Sequence, residues 1–268
     1  MVLIKFGKQS NDSVRLSTSS ILLSALLPLL GCAQSQMDIP HANLSLNIDG
    51  DLADWKNYAH SQGKWNLKRS SSEPWHSPKR SRLINEADEP TGSIDLSSTF
   101  YIAWSDSGLI LGAEVEDNIL DVVETEHLDE RWYNKDGVAW FFELPYDTIP
   151  ERFAAGSVAL CFIADTSYPE YGAWMRYGND SADYLEQAIP KETQEYSVKV
   201  TTDGYIIEAF VSWELFRKYG QFSEEITETL GSMMIVNCDP DGGEYGGHLL
   251  IYGKGDNDAT WTQITFSE

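Results

Sequence analysis

The sequence predicts an antiparallel β-sandwich of jelly-roll or immunoglobulin type with one or two short helices. Three observations lead there. Short apolar segments with two-residue alternation recur along the chain and are parted by turn residues. The segments Phe100–Trp104 and Leu109–Val115 are joined by the tight turn Ser105-Asp106-Ser107-Gly108, as in a hairpin. Helical signals are confined to two short stretches. A hydrophobic content of 42% with nine Trp suffices for one packed domain.

The chain starts with a targeting pattern. Lys5, Lys8 and Arg15 precede the apolar run Ile21–Leu30, which Gly31-Cys32 ends. About ten apolar residues are too few to span a bilayer and match a secretory leader. Leu29-Leu30-Gly31-Cys32 resembles the cleavage box of bacterial lipoproteins, which implies lipidation of Cys32 and removal of residues 1–31. Ala33 follows the Cys, so an Asp retention signal is absent and the outer membrane is the expected destination, at its periplasmic face or the cell surface. Attachment through lipid chains alone would hold the protein there. Residues 32–43 read as a tether and 44–268 as the folded domain.

The domain opens at Ile48-Asp49-Gly50-Asp51-Leu52-Ala53-Asp54-Trp55, a turn with an anchoring Trp. Residues from about 61 to 91 are polar, carry Trp65 and Trp75, and read as a long loop. After the Phe100–Val115 hairpin comes an acidic loop that ends in Arg131-Trp132-Tyr133, just before a strand at Val138–Glu143. Further strands are expected at Ser157–Ala164, Tyr196–Val200, Tyr205–Val211, Ser232–Cys238, His248–Tyr252 and Thr262–Phe266, with Thr202-Asp203-Gly204 as a hairpin turn. The helices are a segment starting at the cap Ser212 and an acidic-started segment at Ser223–Leu230.

With 19 Lys+Arg against 42 Asp+Glu the net charge is −23, and the basic leader contributes nothing to the mature chain. That balance argues against nucleic acid and against docking on anionic lipid headgroups. It suits neutral ligands or calcium ions. Lipidation of Cys32 would leave Cys161 and Cys238, either a disulfide or two buried thiols within apolar strands. No nucleophile elbow, phosphate loop or zinc spacing is present.

The ordered set IDGDLADW (Ile48–Trp55), YIAWSDSGLILGAEVEDN (Tyr101–Asn118), Trp132 with DGVAWFFE (Asp136–Glu143), YIIEAFVSW (Tyr205–Trp213), NCDPDGG (Asn237–Gly243) and ATWTQ (Ala259–Gln263) resembles the family 9 carbohydrate-binding modules and their DOMON-like sandwich relatives. The resemblance implies a non-catalytic sandwich that holds sugar chain ends between two aromatic rings, often with structural calcium. Trp132 matches the first clamp position, with Tyr133 as its substitute, and Trp261 the second. Ala139 stands where the relatives carry a carboxylate, and Ser157–Ala164 lacks an expected Arg.

A sugar site needs aromatic platforms for C–H faces and convergent polar groups for hydroxyls. Trp132, Tyr133 and Trp261 are the expected platforms, with Trp174 and Tyr245 as further candidates. Arg131, Asp117 and Asn118 are the polar contacts, while Trp55, Trp104, Trp140 and Trp213 belong to structure. Asp239 and Asp241, and Asp256 with Asp258, are the candidate calcium ligands. The expected partners are a glycan and polysaccharide-degrading enzymes. The competing readings are a hydrolase built on two carboxylates and a haem-binding electron carrier using Met175, Met233, Met234 or His248.

Overall fold

A computed structural model describes residues 36–42, 46–55, 96–120, 135–144, 155–165, 172–178, 184–220, 223, 228–237, 247–250 and 258–267. Contacts divide the chain into Met1–Ala33 and Gln34–Glu268, and every described strand lies in the second unit. The strands are β1 (Gln36–Pro40), β2 (Leu96–Ser105), β3 (Gly108–Asp117), β4 (Gly137–Glu143), β5 (Ser157–Ile163), β6 (Ala173–Gly178), β7 (Tyr184–Ala188), β8 (Gln194–Val200), β9 (Gly204–Ser212), β10 (Glu228–Asn237), β11 (Gly247–Leu250) and β12 (Thr262–Ser267), with one helix α1 (Trp213–Tyr219).

They form two sheets. The larger has the order β1-β12-β10-β4-β5-β6-β7, with β11 paired to β10, and the smaller has the order β2-β3-β9-β8. All pairs are antiparallel except β1 with β12. The predicted antiparallel sandwich is thus the observed fold.

Alternation explains the core. On β4 the side chains of Val138, Trp140 and Phe142 point between the sheets, as do Val158, Leu160 and Phe162 on β5. Phe100, Leu109, Leu111, Ile207 and Val211 meet them from the smaller sheet. Edge-to-face rings join the layers at Phe100 on Trp140, 5.5 Å, and continue within the larger sheet at Trp140 on Phe162, 5.9 Å. Each buried Phe contributes about 2–3 kcal/mol. All seven residues of β4 and of β5 are buried, so these two strands are covered on both faces.

Helix α1 follows the capping logic of its sequence. Ser212 Oγ accepts the Glu214 N–H at 3.2 Å, and Arg217 and Lys218 lie in the last turn. Trp213, Leu215 and Phe216 face inward, and the Trp213 indole donates to the Ser105 carbonyl at 2.8 Å.

The opening motif is explained by one carboxylate. Glu208 Oε2 accepts the backbone N–H groups of Asp49 and Asp51, each at 3.0 Å, and that of Gly50 between them. Its Oε1 accepts the Trp55 indole N–H at 2.7 Å. Gly50 has φ +80°, a left-handed conformation that a side chain strains, and a Cβ there would lie 3.1 Å from Lys199 Cβ. Burial lifts the Glu208 carboxyl above its ordinary value, and the Trp55, Gly50 and Asp49 donors pull it back. The motif therefore fastens the N-terminal segment to the smaller sheet, where Ala42 and Trp55 cover Ala103 and Ile110.

Four expectations are corrected. Residues 36–40, expected within the tether, form β1 and pair with β12. The second helix is replaced at Glu228–Leu230 by the start of β10, because Thr229 and Leu230 are buried against β4 and β12. Residues 224–227 of that segment lie outside the described set. Strands β6 and β7 carry polar or mixed outward positions that hid their alternation. The disulfide alternative is set aside, because Cys161 is a free buried thiol.

Candidate functional site

Cross-strand register places a set of side chains together on the outer face of the larger sheet. One row joins Trp174, Cys161 and Ala139, and the next joins Glu186, Arg176, Ala159 and Phe141. Residues opposite one another in antiparallel strands share a face, so both rows point away from the core between the sheets. Ala139, Phe141, Ala159, Cys161, Ile163, Leu230 and Trp261 make an apolar layer there, with the half-buried Trp174 packed against it. The Trp261 ring leans on Phe141 at 5.3 Å.

The polar groups of this face lie at its β6–β7 side. Arg176 donates from Nε at 2.8 Å and from Nη2 at 2.5 Å, both to Glu186 Oε1. The side chains are 15% and 29% exposed. Glu186 Oε2 has no protein partner among the described residues. Trp174 and Arg176 are two residues apart on one strand, about 7 Å, so ring and charge pair stand side by side. This combination can stack the C–H face of a sugar on the indole while hydroxyls bond guanidinium donors and the carboxylate acceptor. Trp174 was a candidate in the sequence. Arg176 and Glu186 were missed, and the i, i+2 pattern Trp-Met-Arg, opposite Glu-Gln-Ala, was the available signal.

The expected residues are distributed as follows. Trp261 lies in the outer apolar layer and is 1% exposed, so as placed it is a wall packed on Phe141 rather than an open platform. Asp117 ends β3 on the smaller sheet, is buried, and accepts the Ile119 N–H at 3.1 Å. Asn118, next in the chain, is exposed. Asp117 and Asp136 both raise the Tyr205 phenol by their charge, after burial. Register puts Asp117 two residues beyond Val115, the partner of Tyr205, and Asp136 directly precedes β4, whose Gly137 carbonyl accepts the Tyr205 hydroxyl at 3.1 Å. Phe141 and Trp261 lie about 13 Å further along β4 from Gly137, on the opposite face from Tyr205. Asp117 and Asn118 are thus not brought together with Trp261. Arg131, Trp132, Tyr133, Tyr245, Asp239, Asp241, Asp256, Cys32 and Cys238 lie outside the described residues.

Ala139 is 0% exposed. A carboxylate at that position would be buried within the apolar layer that includes Phe141, Cys161 and Ile163. Asp258 is 1% exposed and already takes the Ser157 hydroxyl at 2.9 Å and the Ala259 N–H at 2.7 Å. Among the described residues no three acidic, His or Cys side chains converge as a cation site needs. Met175 and Met233 are completely buried in the core between the sheets, which removes them as outward-facing haem ligands. Trp55, Trp140 and Trp213 are core residues, and Trp104 packs edge-on against His41 at 4.4 Å and Phe266 at 6.1 Å.

Burial pushes the Cys161 thiol far above its ordinary value, with Arg176 lowering it and Glu186 raising it more weakly. The expected result is that iodoacetamide at pH 8 leaves the Cys161 peptide unlabelled in the native protein and labels it after guanidinium unfolding, as read by peptide mass.

No family model matches the chain, and no curated protein matches it. Solved structures do. A family 9 carbohydrate-binding module from Caldicellulosiruptor kristjanssonii in complex with cellotriose is 14% identical, with a TM-score of 0.53, over 87% of this chain and 94% of that one. A module of that family and organism in complex with glucose is 12% identical, with a TM-score of 0.52, over 87% and 96%. A Bacteroides uniformis protein named for carbohydrate binding is 10% identical, with a TM-score of 0.55, over 88% and 100%. At such identities the likeness is one of fold: the chain carries the β-sandwich fold of the family 9 carbohydrate-binding modules.

Proposed function

We propose that the protein is a non-catalytic carbohydrate-binding lipoprotein that captures polysaccharide for partner enzymes at the bacterial outer membrane. The observation that carries the binding role is the half-buried Trp174 beside the Arg176–Glu186 pair on the outer face of the larger sheet. An aromatic ring flanked by donors and an acceptor is what a sugar's apolar face and hydroxyl rim require. The neighbours solved with cellotriose and glucose support a sugar ligand. Trp132, or Tyr133 in its stead, and Arg131 remain ligand-contact candidates on the strength of the family resemblance. The anchor is the Cys32 lipid, on the strength of Leu29-Leu30-Gly31-Cys32.

The test is a glycan array followed by calorimetric titration of the mature protein with cellotriose and with other oligosaccharides. Saturable binding with no change in the sugar supports the reading. Absence of binding across the array, or cleavage of the bound glycan, contradicts it. Cys32→Ser is expected to shift the protein from the membrane fraction to the soluble fraction.

A further inference from the structure

We propose that Glu186 is a specificity-determining residue that restricts the outer face of the larger sheet to neutral glycans. This rests on the reading of that face as a sugar-binding surface. Three observations carry it.

Arg176 is committed. Its Nε and Nη2 both donate to Glu186 Oε1, which leaves the guanidinium fork facing its own carboxylate rather than one from a ligand. A planar fork is the group that binds carboxylate or sulfate in two-point fashion, so its occupation removes the usual recognition of acidic sugars.

The rest of the face is acidic. Cross-strand register places Glu186, the buried Glu143 and, further across the sheet, the exposed Glu228 and Asp38 on the same side as Phe141 and Trp174. Within the strands of the larger sheet the Lys or Arg on this face is Arg176, in a chain of net charge −23. Among the described residues, a uronic acid or sulfated sugar docking beside Trp174 would meet the Glu186 carboxylate, with Arg176 already paired to it.

Glu186 Oε2 is the group that selects for hydroxyls. It accepts from no protein donor among the described residues, and it stands at the edge of the Trp174 ring's strand. A hydroxyl can donate to it, while a ligand carboxylate can only repel it. Glu186 therefore does two things: it holds Arg176 in place, and it makes acidic ligands unfavourable.

The experiment titrates the mature protein with a trisaccharide of β-linked glucose and with the same trisaccharide oxidised at C6 to glucuronic acid, at low salt. Wild type is expected to prefer the neutral sugar at least tenfold. Glu186→Gln is expected to weaken neutral binding a few-fold and to bring the preference close to unity, because it frees the guanidinium for the acid. Arg176→Lys serves as a second variant, expected to weaken neutral binding while the preference over the acid persists through Glu186. A purely structural role for Glu186 would change both affinities together and leave their ratio fixed. Equal binding of both sugars by wild type, or an unchanged ratio in Glu186→Gln, overturns the inference and leaves sugar binding standing. Binding of neither sugar overturns the inference together with the sugar-binding reading.

Discussion

Glu208→Ala is expected to destabilise the domain by about 3–4 kcal/mol, a loss read as a shift of the urea unfolding midpoint without a change in slope. The side chain is 0% exposed and takes four N–H donors, from Asp49, Gly50, Asp51 and Trp55. Its removal leaves those donors without an acceptor and opens a gap under the turn that covers Ala103 and Ile110. Glu208→Gln is expected to cost less, about 2 kcal/mol, because an amide keeps one accepting oxygen. That oxygen can serve either the Trp55 indole or the three backbone donors, and the NH2 group faces the other set. Asp51→Ala, which removes only the exposed bond to the Ala53 N–H, is expected to cost well under 1 kcal/mol. Equal losses in all three variants would contradict the latch. Sugar affinity of the folded protein should be unchanged, because the latch lies on the smaller sheet and the proposed site on the larger.

Trp174→Ala is the second large effect. A ring that stacks on a sugar at the centre of a small site is worth about 2 kcal/mol, so affinity should fall about 30-fold. Stability should fall by less than for a core Trp, because Trp174 is only partly buried, against the outer apolar layer. Trp174→Phe, which keeps a smaller ring, should restore part of the binding. Calorimetry for affinity and urea unfolding for stability separate the two effects. A Trp174→Ala protein that binds as wild type does would remove the ring from the site.

The strands that build the core were legible because both of their readings agreed. Phe100–Trp104 and Leu109–Val115 are short apolar segments parted by a tight turn, and β4 and β5 are buried along their whole length because both faces are covered. The short polar strands were not legible. In β6 the inward Ala173 and Met175 alternate with Trp174 and Arg176, which look like loop residues until their partners are known. The acidic start of Ser223–Leu230 favours a helix locally, and burial of Thr229 and Leu230 between β4 and β12 makes the end of that segment the start of β10. The IDG opening was legible as a family mark. Its reason was hidden, since Glu208 lies 158 residues from Gly50. The Arg176–Glu186 pair lay closer in sequence, ten residues apart on neighbouring strands, and was hidden because β6 and β7 do not read as strands in the sequence. Ala139 stands where the relatives carry a carboxylate, and it is completely buried in the outer apolar layer.

The most direct test of the central claim is NMR mapping with an oligosaccharide that the array identifies. Titration should shift the Trp174 indole and the Arg176 Nε–H resonances, along with backbone amides of β5, β6 and β7, in a saturable manner. Shifts confined instead to the outer face of the smaller sheet, around Tyr101 and Phe210, would contradict the account.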